Sequence, residues 1–263
     1  MNPPASDHPL HRQGVRAVGL AQPLQWLARG WVDLLRCPLP GLLHGLLTAA
    51  FGLLLMGLAR DRFWLLAGAF SGFLLVAPVL ATGLYAVSRA LQKGQPASLA
   101  SALEVWRPKN GRLVLFGVLL ALAGTGWVLT SASLITLFAD APVRNPQDFL
   151  RVVVLSTRGH LFEVWLLLGS ALAAPIFAST VVAVPLLMDR DISVRAAVLL
   201  SVRAALLNPL PMALWATLIL VITLLGMATL LLGMVVAVPW LAHASWHAYR
   251  DLLEPAAAEE SRA

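Results

Sequence analysis

The longest uncharged stretch of the chain limits most strongly what this sequence can fold into. No Asp, Glu, Lys or Arg lies between Arg203 and Arg250. Because a helix rises about 1.5 Å per residue and the apolar core of a bilayer is about 30 Å thick, one membrane span needs roughly 20 residues. The apolar run over residues 211–249 is nearly twice that length. It therefore predicts two spans, with a turn at residues 226–229, where a glycine permits the chain to reverse direction.

The composition of the whole chain agrees with a membrane protein. Of its 263 residues 59% are hydrophobic and 12% are charged, and the mean hydropathy is +0.80, whereas a soluble globular chain carries about 25% charged residues. The net charge is +6, but the basic residues lie in loops between apolar segments. We therefore expect anionic lipid headgroups, and not nucleic acid, as their counter-charge. The single cysteine, Cys37, excludes an internal disulfide and a cluster of thiolate metal ligands.

The hydropathy pattern predicts an all-α polytopic membrane protein with six transmembrane helices. Besides the two spans within residues 211–249, the predicted spans cover residues 39–58, 63–85, 113–137 and 161–188. The polar ends of the chain lack apolar periodicity, so we expect flexible tails there. The predicted divisions are a tail at residues 1–22, a six-span membrane domain at residues 23–250 and a tail at residues 251–263.

Three amphipathic helices accompany the predicted spans, at about residues 24–36, 98–106 and 192–207. Helices of this kind lie in the membrane interface. The predicted apolar side of the first consists of Leu24, Leu27, Trp31, Leu34 and Leu35. Asp33 falls elsewhere around the same helix. At the start of the third, Asp191 and Arg195 are four residues apart and can form an ion pair.

A glycine and a proline recur with the same six-residue spacing in every second span. The pairs are Gly72 and Pro78, Gly169 and Pro175, and Gly233 and Pro239. Aligning these pairs also places Arg89 at the position of Arg250. The pattern indicates either an internal triplication, in which an amphipathic helix precedes a proline-containing hairpin of two spans, or the ordinary recurrence of proline in membrane helices. In both cases the glycines are expected to let helices approach closely.

The distribution of basic residues predicts the orientation of the chain. Fourteen of the 19 Lys and Arg residues lie in four segments, namely the N-terminal segment, residues 89–112, residues 189–208 and the C-terminal segment. Loops rich in Lys and Arg stay on the cytoplasmic side of a membrane. We therefore expect both termini and all three amphipathic helices to be cytoplasmic.

Three short segments in the second half carry a resemblance to a known family. They read VPLLMDRD at residues 184–191, NPLPM at residues 208–212 and HASWHAYRDL at residues 243–252. In these segments the chain resembles the domain of unknown function 2189 family of bacterial integral membrane proteins. The resemblance is sharpest over residues 184–252, and the six-span layout extends it over most of the chain. It implies a multi-pass protein of the bacterial inner membrane and no particular activity.

Three histidines suggest a metal or haem site as one hypothesis. His243 and His247 are four residues apart, hence on one face of a helix, and a pair at this spacing can chelate one metal ion. His44 lies early in the first span, in the same leaflet by the predicted orientation, so contact between the first and sixth spans would bring three imidazoles together. The alternative is that the pair belongs to an interfacial belt with its aromatic neighbours. We expect no bound cofactor.

Transport is a second hypothesis. The predicted spans hold no charged residue near their centres, although coupled carriers usually place one there. Hydroxyl groups remain as candidates for a substrate path, namely Ser133, Ser179 and Thr180. The alternative for these hydroxyls is hydrogen bonding to helix carbonyls or across helices.

Enzyme motifs are missing from the sequence. It contains no Walker loop, no dinucleotide-binding glycine pattern and no Gly-x-Ser-x-Gly segment. We therefore expect a non-catalytic membrane scaffold, assembly or lipid-organising protein that contacts membrane lipids and either a membrane-protein partner or a second copy of itself. The alternative is a transporter or channel for a small neutral or lipophilic solute.

Overall fold

The computed structural model describes residues 14–59, 81–104, 111–156 and 159–254, and within these ranges the chain is helical and forms no β-strand. The helices are α1 Gln22–Arg36, α2 Pro38–Ala59, α3 Thr82–Gln92, α4 Leu99–Glu104, α5 Gly111–Phe138, α6 Pro146–Phe149, α7 Leu161–Thr180, α8 Ala183–Asp189, α9 Val194–Leu207, α10 Pro209–Ala228 and α11 Met234–Leu252. One π-helical turn, Leu150–Val154, follows α6.

Within the described residues, four segments are long and apolar enough to cross a membrane. They are Pro38–Gly57, Gly111–Phe138, Leu161–Asp189 and Pro209–Ala228, which correspond to the predicted first, third, fourth and fifth spans. The chain is thus an integral, multi-pass membrane protein. Most of the predicted second span lies outside the described residues.

The predicted sixth span forms helix α11, but this helix is not among the four apolar segments. The reason is its C-terminal half, which carries His243, His247, Arg250 and Asp251. The described part of the chain therefore supports four spans and does not establish six.

Helix α11 is the central element of the fold. It packs against α1, α2, α3 and α10. Two glycines bring its neighbours close, since a Cβ added at Gly30 of α1 would lie 2.5 Å from the Ala244 nitrogen. A Cβ at Gly45 of α2 would overlap the carbonyl of Val235. Side chains larger than hydrogen at these two positions would push α1 and α2 away from the α11 backbone.

Helix α1 buries a different face from the predicted apolar side. Leu27 and Leu34 are buried as expected, but Leu24 and Leu35 are exposed. Asp33, in contrast, is only 6% exposed. The buried face follows Trp26, Gly30 and Asp33 at helical spacing and lies against α11.

The fourth span is interrupted between α7 and α8. In a continuous helix the ring of Pro185 would clash with the carbonyl of Val181, four residues before it. The helical hydrogen bond from Val182 N–H to the Ala178 carbonyl is replaced by the hydroxyl of Ser201 on α9. This hydroxyl accepts from Val182 N–H at 3.0 Å and donates to the Ala178 carbonyl at 2.7 Å.

A tight turn joins α10 to α11, as the predicted reversal requires, and it begins at Thr229, the last of the predicted turn residues 226–229. Leu230 and Leu231 adopt left-handed backbone angles there, with φ of 53° and 67°. The hydroxyl of Thr229 donates to the Gly226 carbonyl at 2.8 Å and accepts from Gly233 N–H at 2.7 Å. The side chain thus satisfies backbone groups that the turn leaves free.

The described ends of the chain pair with each other. Val15 and Leu253 form an antiparallel bridge, in which Arg16 N–H donates to the Leu252 carbonyl at 2.9 Å. Asn208 also accepts from Val18 N–H at 2.8 Å. The segment from residue 14 onward is therefore fixed to the helices. The pairing also places both described ends on the same side of the molecule.

Candidate functional site

The two histidines of α11 contact two different helices. His243 is fully buried, with Nδ1 2.7 Å from the Ser88 hydroxyl on α3. His247 is buried with Nε2 2.8 Å from Oδ2 of Asp33 on α1. We refer to Asp33, Ser88, His243 and His247 as the α11 polar cluster. It joins three helices that are far apart in the sequence.

The predicted three-histidine metal site is not formed. No group of three or more His, Cys, Asp or Glu residues within the described ranges is arranged to hold a metal ion. His44 lies half-buried on α2. The spacing of His243 and His247 correctly places them on one helix face, but the first imidazole is held by a serine and the second by a carboxylate.

Asp33 carries the negative charge of the α11 polar cluster. Burial by itself raises the pKa of Asp33, but hydrogen bonds from His247 and Ser88 outweigh it and hold the pKa below its ordinary value. A carboxylate only accepts hydrogen bonds. His247 therefore donates from Nε2 to Asp33.

The two ring nitrogens of His243 have different surroundings. Nδ1 shares a hydrogen bond with the Ser88 hydroxyl, in which either atom can be the donor. Nε2 is the second ring nitrogen. It is buried without a hydrogen-bond partner among the described residues, and it faces Gly41 of α2, where an added Cβ would lie 3.7 Å away.

A second carboxylate, Asp189 at the end of α8, contacts two other helices, α3 and α11. The Tyr249 hydroxyl donates to its Oδ2 at 2.7 Å. Arg89 of α3 lies 3.4 Å from Oδ1, and Arg250 of α11 lies 3.8 Å from Oδ2. We refer to this group as the Asp189 junction. Arg89 and Arg250 hold equivalent positions in the predicted repeat.

A third carboxylate, Asp251, fastens α1 to the end of α11. It accepts from Gln22 Nε2 at 2.7 Å, from Trp26 Nε1 at 2.8 Å and from the guanidinium of Arg29. Burial raises the pKa of Asp251, but the hydrogen bonds from Arg29, Gln22 and Trp26 outweigh it and leave the pKa below its ordinary value. Helix α1 is thus held to α11 by two ionised carboxylates.

Two of the three hydroxyls predicted as candidates for a substrate path form hydrogen bonds within their own helix. Ser179 and Thr180 both donate to the carbonyl of Ile176 in their own helix, at 2.8 Å. Ser133 is exposed on α5. These contacts agree with the structural alternative for Ser179 and Thr180, because a hydroxyl that bonds to its own helix is not aimed at a solute.

The repeat positions that the structure describes are packing sites. A Cβ at Gly169 would lie 3.0 Å from the Trp127 ring, and one at Gly233 would lie 2.9 Å from the Gly226 Cα. Pro175 and Pro239 lie inside α7 and α11. Gly72 and Pro78 fall outside the described residues. Close approach, as predicted for the glycines, is observed at the two described positions.

Four polar residues that organise these contacts had no assigned role from the sequence, namely Asp33, Ser88, Asp189 and Asp251. For Asp33 a signal was present, because it continues the spacing of Trp26 and Gly30 along one helix face. For Ser88 no local signal exists, since its partner His243 is 155 residues away.

The apolar helices and the polar groups packed around α11 define the class of protein, a multi-pass integral membrane protein. Residues 65–189 match the model of a family described as predicted integral membrane protein (DUF2189), a family of unknown function. The match confirms the resemblance found in the sequence. It lies mostly upstream of residues 184–252, where the resemblance was expected to be sharpest. No curated protein and no solved structure matches the chain.

Proposed function

We propose that the protein is a non-catalytic scaffold of the bacterial inner membrane, which supports the assembly of membrane components and organises lipids. One observation carries this proposal, the enclosure of the polar half of α11. His243, Trp246, His247 and Tyr249 are all buried, and hydrogen bonds to Ser88, Gln92, Asp33 and Asp189 respectively fix them to surrounding helices. A closed centre that is held together by hydrogen bonds suits a scaffold better than a transport pathway or an active site.

The same geometry supports the proposed orientation. The described ends of the chain pair through Val15 and Leu253, which requires an even number of crossings. With the excess of basic residues on that side, the positive-inside rule favours cytoplasmic termini. The proposed topology therefore has six crossings, with α11 as the last of them.

The Asp189 junction supports the internal triplication. In the repeat alignment α3, α8 and α11 are the ends of the three copies, and all three meet at this junction. Arg89 and Arg250, which occupy equivalent positions, both face the same carboxylate. We propose that three related hairpins, each preceded by an amphipathic helix, converge there.

One observation favours a second candidate function, transport of a small neutral or lipophilic solute. Ionisable groups buried in a membrane protein often mark a pathway. The α11 polar cluster contains a buried carboxylate and an imidazole nitrogen that has no hydrogen-bond partner among the described residues. In this alternative, a solute with a hydrogen-bonding group would bind at Nε2 of His243 once α2 moved away.

Native mass spectrometry of the full chain, purified in a mild detergent, tests the scaffold proposal. A defined oligomer or a stoichiometric complex with another membrane protein is the expected result. A monomer carrying a stoichiometric small-molecule or metal adduct would contradict it. Saturable solute uptake into vesicles that contain the purified protein would favour the second candidate.

A further inference from the structure

Helix α9 presents two sides of different character. Its buried side packs against α7 and α8 and consists of Ala197, Leu200, Ser201 and Ala204. On the opposite side an arginine and a leucine alternate at helical spacing. That exposed side consists of Arg195, Leu199, Arg203 and Leu206, and we refer to it as the α9 outer face.

The position of α9 in the chain places it at a membrane boundary. It joins the end of one candidate span, Leu161–Asp189, to the start of the next, Pro209–Ala228. Leu206 is 74% exposed and Leu210, at the start of the following span, is 68% exposed. The apolar part of the α9 outer face is therefore continuous with a surface that crosses the bilayer.

The charge of the α9 outer face has one sign. Helix α9 contains no Asp or Glu. The sequence predicts an ion pair between Asp191 and Arg195. Asp191 instead pairs with the guanidinium of Arg112 on α5. Within the described part of the chain, neither Arg195 nor Arg203 forms an ion pair, and both are exposed.

The spacing of the two arginines fits lipid headgroups. Arg195 and Arg203 are eight positions apart, which corresponds to about 12 Å along the helix axis. Leu199 lies between them and Leu206 beyond them, so leucines can enter the acyl boundary while the long arginine side chains extend to the phosphates. Arginine binds phosphate well because its guanidinium offers several donors in one plane.

We infer that the α9 outer face is a binding site for anionic phospholipid headgroups, with Arg195 and Arg203 contacting the phosphates. The inference rests on the proposed lipid-organising function and adds a location and a lipid class to it. An acidic segment of a partner protein would need the same two arginines but would not need the exposed leucines to be continuous with a membrane span. The lipid surface is therefore the occupant that the geometry favours.

The test compares lipid selectivity in the full chain. The protein is reconstituted in bilayers of equal parts phosphatidylglycerol and phosphatidylcholine, and native mass spectrometry counts the lipids that remain bound. The wild type should retain phosphatidylglycerol preferentially. Arg195→Gln or Arg203→Gln should each lower that preference by about fivefold, since one basic residue near an anionic surface contributes about that factor. High salt should weaken the preference in the wild type.

The matched control removes two exposed arginines elsewhere, with Arg144→Gln and Arg151→Gln combined. It should keep the preference for phosphatidylglycerol. A wild type without lipid preference would overturn the inference. Equal preference in the double variant Arg195→Gln, Arg203→Gln and in the control would also overturn it. So would the loss of a bound protein from the double variant while its lipid selectivity stays unchanged. The oligomeric state read from the same spectra tests the scaffold proposal separately, because a lost lipid preference with an intact oligomer affects only this site.

Discussion

Asp33 and His247 form a buried contact between the N-terminal helix and the central helix, with Oδ2 and Nε2 2.8 Å apart. The two residues are 214 positions apart in the chain. A charged side chain on a helix that borders a membrane would normally face water, but this carboxylate is turned inward and compensated by donors. The contact determines which face of α1 meets α11, and it leaves Leu24 and Leu35 exposed.

Removing this carboxylate should destabilise the fold. Asp33→Ala leaves the buried His247 without its acceptor, and a buried polar group left without a hydrogen bond costs about 2 kcal/mol. The free energy of unfolding in mild detergent measures the effect. As the control, Asp191→Ala removes a carboxylate whose side chain is 94% exposed, and it should change stability little. Equal stability of the two variants would show that the Asp33 contact does not hold α1 in place.

The stability of the fold should decrease as the pH becomes acidic. The pKa values of Asp33 and Asp251 lie below their ordinary value of 3.8 in the folded protein. Each carboxylate therefore stabilises the fold above that value, and its contribution is lost as the pH falls through the lower folded pKa. The unfolding temperature measured at successive acidic pH values should drop below about pH 4. The double variant Asp33→Asn, Asp251→Asn should have a shallower dependence, and an unchanged slope would contradict the assignment.

The contribution of the Ser201 hydroxyl, which is inserted into the fourth span, should be measurable as a loss of stability when it is removed. Ser201→Ala deprives the Ala178 carbonyl and Val182 N–H of their partner, and leaving buried backbone groups unsatisfied costs about 2 kcal/mol. Ser179→Ala is the matched control, because that hydroxyl bonds only to a carbonyl of its own helix. Hydrogen exchange at residues 181–182 should accelerate in Ser201→Ala. Similar losses of stability in both variants would mean that the insertion contributes nothing specific.

Two glycines of α2 should respond in opposite directions to the same substitution. Gly45→Ala places a methyl group against the Val235 carbonyl, and such overpacking costs about 2 kcal/mol. Gly57→Ala meets no atom of the described residues within 4 Å, so the better helix propensity of alanine should make the change neutral or slightly stabilising. Thermal unfolding of the two variants in parallel compares them. A tolerated Gly45→Ala would indicate that α2 does not pack closely on α11.

The apolar helices α2, α5, α7 and α10 could be predicted from the sequence because their length and lack of charge are local properties. The side of each helix that faces protein could not be predicted from the sequence. Lipid is as apolar as a protein core, so the position of a leucine does not tell which of the two it meets. The exposed Leu24 and the buried Leu27 of α1 illustrate this.

The polar contacts could not be predicted for a different reason. Their partners are separated by long stretches of chain, as Ser88 is from His243, and no periodicity encodes that pairing. The histidine pair of α11 was noticed from its spacing, but a metal-ligand spacing and a packed polar face look alike in one sequence. The inward direction of Asp33 distinguishes them, and it depends on how α1 docks on α11.

The most direct test of the central claim, that the bundle is a closed support and not a pathway, is access to its interior from water. Single cysteines at Ser179 and Thr180, in a Cys37→Ala background, are exposed to a membrane-impermeant thiol reagent on each side of sealed vesicles. A cysteine at Gln95, which is exposed in a loop, verifies that the reagent reacts. The scaffold account predicts labelling at Gln95 and none at Ser179 or Thr180 from either side. Rapid labelling of Ser179 or Thr180 from one side would contradict it and point to a water-filled path.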